Sequence, residues 1–211
     1  MNLAVFGATG RTGRPLVAQA LERGHSVTAF VRSAPAEGSL GPVERVLTGD
    51  ARNEAAVASA LRGAEGVISA MGPKGPDPGS VYSEAIGSLV RAMRQADVAR
   101  LVISANSRVL DDDALEGPYA AVSQEHREAL ATLRVSNLEW TVVSAPMLSG
   151  ADPSGTYAAA VDARAPGGSI ARADFATALL DTLGHADWIG HIVDVAAPGC
   201  PIASDVHLPH A

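Results

Sequence analysis

The chain has 211 residues, of which 47% are hydrophobic and 4% aromatic, and its formal net charge is -7. This length favours one domain with a sizeable apolar core, and the acidic balance with few aromatic rings argues against a nucleic-acid partner. The single cysteine, Cys200, excludes an intrachain disulfide and is typical of a reducing compartment. Because we find neither a membrane-spanning apolar run nor a signal-peptide pattern, we expect a cytoplasmic protein without membrane contacts.

Strand-like and helix-like patterns alternate along most of the chain. Strands are predicted at residues 3–6, 26–31, 43–47, 66–70, 100–104 and 138–144, and helices at 15–23, 54–62, 80–96 and 122–135. Segments 33–42 and 72–79, rich in Gly and Pro, are predicted to be loops. After Pro146 the alternation fades, leaving a short strand at 156–161, a helix at 173–183 and a last strand at 191–196.

This alternation predicts an α/β protein with a Rossmann-type, doubly wound parallel sheet between two layers of helices. We expect one domain over residues 1–197, in which residues 146–197 contribute a small C-terminal substrate lobe. Residues 198–211 are expected to form a poorly ordered tail.

A glycine-rich segment, residues 7–13 (GATGRTG), joins the first strand to the first helix. Strand, glycine turn and helix form the context that a dinucleotide-binding motif requires. Gly7 allows a sharp turn, Gly10 lets a pyrophosphate approach the backbone, and Gly13 lets the helix pack closely on the strand. The alternative is a βα turn that is merely rich in glycine, but the position of the segment favours phosphate binding by the helix N-terminus. The predicted cofactor contacts here are Gly7, Thr9, Gly10, Arg11, Thr12 and Gly13.

The end of the second strand predicts which cofactor is bound. Arg32 follows this strand, and no carboxylate occurs before Glu37. A carboxylate there would accept a hydrogen bond from the 2′-hydroxyl of NAD, whereas an arginine pairs with the 2′-phosphate of NADP. Arg11 could supply a second positive charge. The sequence therefore predicts NADP(H), the alternative being that both arginines are ordinary surface residues.

The ends of the next two strands supply further predicted contacts to the cofactor. Asp50 could accept the adenine amino group while the amide of Ala51 reaches a ring nitrogen; alternatively, Asp50 is only a turn or capping residue. Ala70, Met71 and Gly72 end the fourth strand and would lie along the sugars, where small residues leave room.

Residues 7–13, 31–33 and 49–50 together resemble the atypical short-chain dehydrogenases. Residues 136–143 (SNLEWTVV) resemble the helix-to-strand passage of that group, and residues 170–176 (IARADFA) resemble its C-terminal strand-to-helix signature. Within the group, the chain looks most like the small NAD(P)H-binding members related to biliverdin-IXβ reductase, also called NADPH flavin reductase, and next like the NmrA-like regulators. The resemblance implies the fold and the nicotinamide cofactor but does not specify a substrate.

The chain departs from this group in its catalytic pattern. Typical members carry Tyr-x-x-x-Lys, but Tyr119 is followed four residues later by Ser123. The resemblance to biliverdin-reductase-like members puts His126 in the place of the lysine, near the nicotinamide ribose, as a polar lining or a proton source. A proton source would titrate not far from about 6.5. The alternative is a half-exposed histidine without a role.

Two further segments are implied to face the nicotinamide. The resemblance assigns this position to the end of the fifth strand, where Ser104, Asn106 or Ser107 could hold substrate, and spacing does not choose among them. Pro146 and Met147 occupy the loop that closes over the nicotinamide. The proline matches biliverdin-reductase-like members, but Met147 replaces their histidine, which puts tetrapyrrole reduction in doubt. Met147 would suit a flat apolar ligand or would belong to the core.

No metal site is predicted. His207 and His210 lie near the C-terminus without accompanying Cys or acidic residues, and residues 111–113 (DDD) are expected to form a solvated loop or helix start.

The preferred function is an NADPH-dependent reductase of a flavin, a quinone or a similar conjugated small molecule, acting as a monomer or weak dimer. The alternative is a non-enzymatic NADP(H) sensor of the NmrA-like kind. Isomerase or epimerase chemistry on a sugar nucleotide is disfavoured because the Tyr–Lys pair is absent.

Overall fold

The computed structural model describes residues 1–36, 38–73, 75, 79–111 and 119–199. Several positions named above lie outside these ranges, namely Glu37, Asp112, Asp113, Cys200, His207 and His210, together with half of the loop at 72–79 and most of the tail at 198–211.

The described strands are β1 (Asn2–Phe6), β2 (Ser26–Val31), β3 (Arg45–Thr48), β4 (Gly66–Ser69), β5 (Arg100–Asn106), β6 (Glu139–Ala145), β7 (Leu148–Ser149), β8 (Ala158–Val161), β9 (Ile170–Ala171) and β10 (Ile192–Ala196). The α-helices are α1 (Gly13–Glu22), α2 (Glu54–Leu61), α3 (Val81–Gln95), α4 (Ala120–Arg134) and α5 (Arg172–Asp181). Short 3₁₀ helices occupy Ser107–Leu110, Thr182–Gly184 and Ala186–Trp188.

Within the described ranges, eight strands form one sheet in the order β3-β2-β1-β4-β5-β6-β10-β8. All neighbours are parallel except β8, which runs antiparallel to β10. The strands β1 to β6 follow the Rossmann order, in which the order of the strands reverses between β1 and β4 and ligands bind at the carboxyl ends of the strands. The predicted fold class is confirmed.

Apolar side chains cover both faces of this sheet. Helices α2, α3 and α4 pack on one face around Phe6, Leu89 and Leu133. Helices α1 and α5 pack on the other face around Leu16 and Phe175. Because both faces are buried, the central strands are apolar throughout rather than alternating.

Two differences from the predicted elements affect the site. Strand β5 extends to Asn106 because it pairs with β6 as far as Ala145, so the predicted end at residue 104 is wrong. A second, two-stranded parallel sheet pairs β7 with β9. Pairs of two residues carry too little periodicity to be recognised in a sequence. This small sheet attaches the segment after β6 to the start of α5.

Candidate cofactor and active site

The turn between β1 and α1 has no room for side chains at two of its three glycines. Gly7 has φ +76°, and a Cβ there would lie 2.9 Å from the backbone nitrogen of Met71. A Cβ on Gly13 would lie 2.0 Å from the carbonyl oxygen of Gly7. Gly10 is exposed, and a Cβ on it would meet only that oxygen, at 3.1 Å. Gly7 and Gly13 are therefore needed for the backbone path of the turn, and Gly10 leaves the outer surface of the turn without a side chain.

The N-terminus of α1 is open. Thr12 makes no capping hydrogen bond with its side chain, and the first turn contains no acidic residue. Within the described residues, the amides of Arg11, Thr12 and Gly13 donate to no protein acceptor, whereas Gly10 N donates to Gly7 O at 2.9 Å. Such amides need an acceptor from outside the helix. The exposed bare surface and these amides fit a dinucleotide phosphate.

Helices α2 and α3 differ in this respect, whereas α4 and α5, like α1, have no capping side chain at the N-cap residue. Asn53 caps α2 by accepting from the amide of Ala56 at 3.1 Å. The carboxylate of Glu125, on α4, accepts from the amides of Tyr82 and Ser83 at the start of α3, at 3.0 and 2.8 Å. Among these helices, α1 is the one whose first turn follows the glycine turn, so its free amides face the bare surface of Gly10.

The two arginines predicted to select the cofactor are both exposed. Arg11 lies in the turn after β1, and Arg32 follows β2, the strand paired with β1. Neither forms an ion pair with a carboxylate in the part of the chain that the structure describes. Both guanidinium groups can therefore bind an anion.

Asp50 is held by a residue that the sequence did not single out. Arg52 donates to its carboxylate from NH2 at 2.7 Å, from Nε at 3.1 Å and from its amide at 2.9 Å. These hydrogen bonds lower the pKa of Asp50 to about 2. Its carbonyl accepts from the amide of Asn53 at 2.9 Å, so Asp50 also shapes the turn before α2. An adenine contact would have to share the carboxylate with Arg52, while Ala51 beside it is buried.

The ends of β4 and β5 are joined by side chains. The hydroxyl of Ser104 donates to the carbonyl of Met71 at 2.8 Å, and the carbonyl of Ser104 accepts from the hydroxyl of Tyr82 at 2.9 Å. Met71 and Ala70 are half-buried behind Gly7, and Gly72 is exposed. Ser104 therefore fixes the spacing of the two strand ends at the site.

His126 is buried on the inner face of α4, with 6% of its surface exposed. Its ring meets that of Tyr82 edge to face at 5.0 Å, and its Nδ1 has no hydrogen-bond partner among the described residues. Burial lowers the pKa of His126 to about 4. The imidazole is therefore neutral at neutral pH, and both the half-exposed alternative and a titration near 6.5 are wrong.

The structure distinguishes the three polar residues at the end of β5. Ser107 is buried and donates to the carboxylate of Asp194, which also accepts from the hydroxyl of Ser144. The hydroxyl of Ser104 already donates a hydrogen bond to the carbonyl of Met71. Asn106 makes only a long contact of 3.4 Å from its Nδ2 to the hydroxyl of Ser123, and its buried Oδ1 has no partner within the described ranges. Asn106 thus retains the capacity to accept a hydrogen bond.

The segment after β6 is held over the carboxyl edge of the sheet. Its Met147 is 66% exposed, so the alternative that it belongs to the core is wrong, and Pro146 is half-buried. The carbonyl of Met147 accepts from the amide of Ile170 at 2.9 Å. Further along, the buried carboxylate of Asp174 accepts from the amide of Ser154 at 2.8 Å. These bonds fix the segment to α5.

Two negative findings concern the described residues. No three of their His, Cys, Asp and Glu side chains form a group that could hold a metal ion, and Asp111 is paired with Arg164 at 2.6 Å. None of their helices has both the length and the apolar character required to cross a membrane.

The strand order, the glycine turn and the open N-terminus of α1 define the class of protein, an α/β domain that binds the phosphates of a dinucleotide. The chain belongs to the NAD(P)H-binding family, whose sequence model matches residues 7–186. The predicted resemblance to the atypical short-chain dehydrogenases is confirmed at the level of fold and family.

Three similar proteins illustrate the range of this family. The chain is 26% identical over 207 residues to the uncharacterized protein YwnB of Bacillus subtilis, covering 88% of this chain and 93% of that protein. It is 32% identical over 168 residues to a 3-diazoavenalumate denitrifying reductase of Streptomyces, covering 70% of this chain but only 53% of the reductase. The solved structure of a "putative NADH-flavin reductase" from Streptococcus pneumoniae has a TM-score of 0.79 at 25% identity, covering 93% of this chain and 99% of that one.

Proposed function

We propose that the protein is an NADPH-dependent reductase of a flat, conjugated, apolar acceptor such as a flavin or a quinone. The main support is that helix α4, beside the end of β5, does not carry the Tyr–Lys pair that donates a proton in typical members. Ser123 stands where the Tyr-x-x-x-Lys pattern has lysine, and His126 is buried and neutral. The reduced nicotinamide, when bound, supplies the hydride. A conjugated acceptor needs little help from a protein acid, because its added charge delocalises and solvent can protonate it.

Exposed apolar side chains at the carboxyl edge support an apolar acceptor. Val81 begins α3 after β4, Tyr119 precedes α4 after β5, and Met147 follows β6; their exposed fractions are 51%, 60% and 66%. Strands β4, β5 and β6 are neighbours in the sheet, and ligands of such sheets bind outside the carboxyl ends of the strands. Large apolar side chains that remain exposed at such an edge are typical of a binding surface.

Selectivity for NADPH is supported by Arg32, because an exposed guanidinium at the end of β2 can pair with a 2′-phosphate. The names of the Streptomyces and pneumococcal relatives support redox chemistry. The chain spans about half of the length of the Streptomyces enzyme, so we propose no substrate in common with it.

The test is stopped-flow oxidation of NADPH with FMN, FAD and menadione as acceptors, alongside calorimetric measurement of NADPH binding. We expect turnover with at least one acceptor. Met147→Ser should raise the KM for that acceptor several-fold and change NADPH affinity by a smaller factor. Val135→Ser is the matched control, since Val135 is an exposed apolar residue at the opposite end of α4. Tight binding of NADPH without turnover of any acceptor would contradict the proposal and favour the NmrA-like sensor.

A further inference from the structure

Helix α5 runs beside α1 in the same direction. Gln19 donates to the carbonyl of Ala173 at 2.9 Å and accepts from the hydroxyl of Thr177 at 3.0 Å. Further along both helices, Arg23 pairs with Asp181 at 2.7 Å. Because these contacts follow the same order in both helices, the N-terminus of α5 lies towards the glycine turn that precedes α1.

This arrangement brings two arginines together. Arg172 is the first residue of α5 and is half-buried. Burial, and after it the charge of Arg11 in the glycine turn, lower the pKa of Arg172. Arg11 is therefore close enough for its charge to act on Arg172.

No carboxylate among the described residues compensates the pair. Neither guanidinium group forms an ion pair with a carboxylate within the described ranges. Asp174, the acidic residue in the first turn of α5, accepts instead from the amides of Ser154 and Gly155 at 2.8 and 3.0 Å. Two neighbouring positive charges without a counter-charge are mutually unfavourable, and an anion between them would relieve the repulsion.

The position of the pair indicates which anion this is. Arg172 directly follows β9, which pairs with β7 after β6, whereas Arg32 follows β2. Strands β6 and β2 lie on opposite sides of β1 in the sheet. In this fold the adenine ribose is bound at the end of β2 and the pyrophosphate at the glycine turn. Arg172 therefore lies on the side of the glycine turn that faces away from the 2′-phosphate, and Arg11 lies in the turn itself.

We propose that Arg172 and Arg11 together bind the pyrophosphate of the dinucleotide, and that Arg32 alone selects for the 2′-phosphate. This inference rests on dinucleotide binding within the proposed function, and it reassigns Arg11, which the sequence associated with the 2′-phosphate. Because NAD and NADP share the pyrophosphate, the pair contributes affinity without selectivity. Removing one charge-assisted contact should weaken binding by roughly 10- to 100-fold.

The test is calorimetric titration of the full chain with four ligands: NADPH, NADH, ADP-ribose and adenosine 2′,5′-bisphosphate. ADP-ribose has the pyrophosphate but no 2′-phosphate, and the bisphosphate has the 2′-phosphate and, at its 5′-oxygen, only one of the two phosphates of the pyrophosphate. Arg172→Gln should weaken NADPH, NADH and ADP-ribose by the same factor and weaken the bisphosphate less. Arg32→Gln should weaken only NADPH and the bisphosphate.

Two further variants serve as controls. Arg172→Lys keeps the charge and should retain part of the affinity, with circular dichroism checking the fold of each variant. Arg91→Gln removes an equal charge from an arginine of α3 that is paired with Glu54 and should change no affinity.

The outcomes separate this inference from the proposed function. Unchanged affinity in both Arg172→Gln and Arg11→Gln, or a loss confined to NADPH, would overturn the pyrophosphate assignment even if the enzyme turns over. Wild-type protein that binds ADP-ribose in the predicted manner but reduces no acceptor would refute the reductase and retain the assignment.

Discussion

The carboxylate of Glu125 accepts a hydrogen bond from the backbone amide of Tyr82, 43 positions earlier in the chain, at 3.0 Å. It also accepts from the amide of Ser83, so a side chain of α4 caps α3. Glu125 is 5% exposed and next to His126, whose ring packs on Tyr82. The two hydrogen bonds of Glu125 therefore fix the position of α3 relative to α4 beside the candidate site.

We expect Glu125→Ala to destabilise the protein. The change leaves the buried amide of Tyr82 and the partly buried amide of Ser83 without acceptors, and an unsatisfied buried group costs about 1–3 kcal/mol. The free energy of unfolding, measured by urea denaturation, should fall by roughly 2–4 kcal/mol. Glu128→Ala is the control, because Glu128 is an exposed residue of the same helix that bonds only Gln124 by its side chain. Equal losses in both variants would show that the cap is energetically unimportant.

Arg32→Ala should abolish a preference for NADPH over NADH. One charge-assisted contact to the 2′-phosphate contributes roughly 1.5–3 kcal/mol, or about 10- to 100-fold in affinity. Titration calorimetry with both cofactors measures the ratio before and after the change. Equal affinities for NADPH and NADH in the wild-type protein would contradict the role of Arg32.

Gly10→Val and Gly13→Ala should fail in different ways. Gly10 faces open surface, so added carbons obstruct the phosphate while the turn persists with modest strain. Gly10→Val should keep a circular dichroism spectrum near wild type and show no NADPH fluorescence change on mixing. A Cβ on Gly13 would overlap the carbonyl of Gly7, so Gly13→Ala should lower stability by about 3 kcal/mol or more. Unaltered NADPH affinity in Gly10→Val would refute its assignment.

His126 should make stability depend on pH. Its pKa is lowered to about 4 in the folded protein, against about 6.5 in the unfolded chain. Between these values only the unfolded chain takes up the proton, so stability is full above about pH 6.5 and falls as pH decreases, by up to roughly 3 kcal/mol near pH 4. Urea unfolding from pH 7 to 4.5 should show this slope reduced in His126→Leu. Identical pH dependence in wild type and His126→Leu would show that this histidine is not buried in neutral form.

Turnover should depend little on His126 and on Tyr119. A neutral buried imidazole has no proton to donate as an imidazolium at neutral pH, and Tyr119 is 60% exposed and lacks its lysine partner. His126→Ala and Tyr119→Phe should therefore leave NADPH affinity nearly unchanged and lower kcat only modestly, with no step near pH 6.5 in the profile of kcat. A loss of more than about a thousandfold at unchanged affinity would identify a dedicated proton donor.

The features that the sequence predicts correctly are local ones. The apolar strands and the glycine turn depend on residues a few positions apart, and these define the fold and the phosphate end of the site. The alternation of strands and helices then restricts the order of the parallel strands, because crossovers in such sheets have a fixed hand.

The remaining features depend on distant residues that meet only after folding. Arg52 binds the carboxylate predicted to contact adenine, Glu125 reaches the start of α3, and the charge of Arg11 in the glycine turn acts on Arg172 at the start of α5. The burial that makes His126 neutral also comes from packing against Tyr82, on another helix. No periodicity marks such contacts. The one signal available was the charge of Glu125 within the helix predicted at residues 122–135.

The open amides at the start of α1 have a consequence for the lifetime of the protein. A ligand that binds only the folded state stabilises it by an amount that grows with ligand concentration, about 2.7 kcal/mol at one hundred times Kd. The protein without cofactor should unfold locally at this turn more often and be cleaved sooner by a protease. Its abundance in a cell would then follow the supply of nicotinamide dinucleotide, without any change in its synthesis.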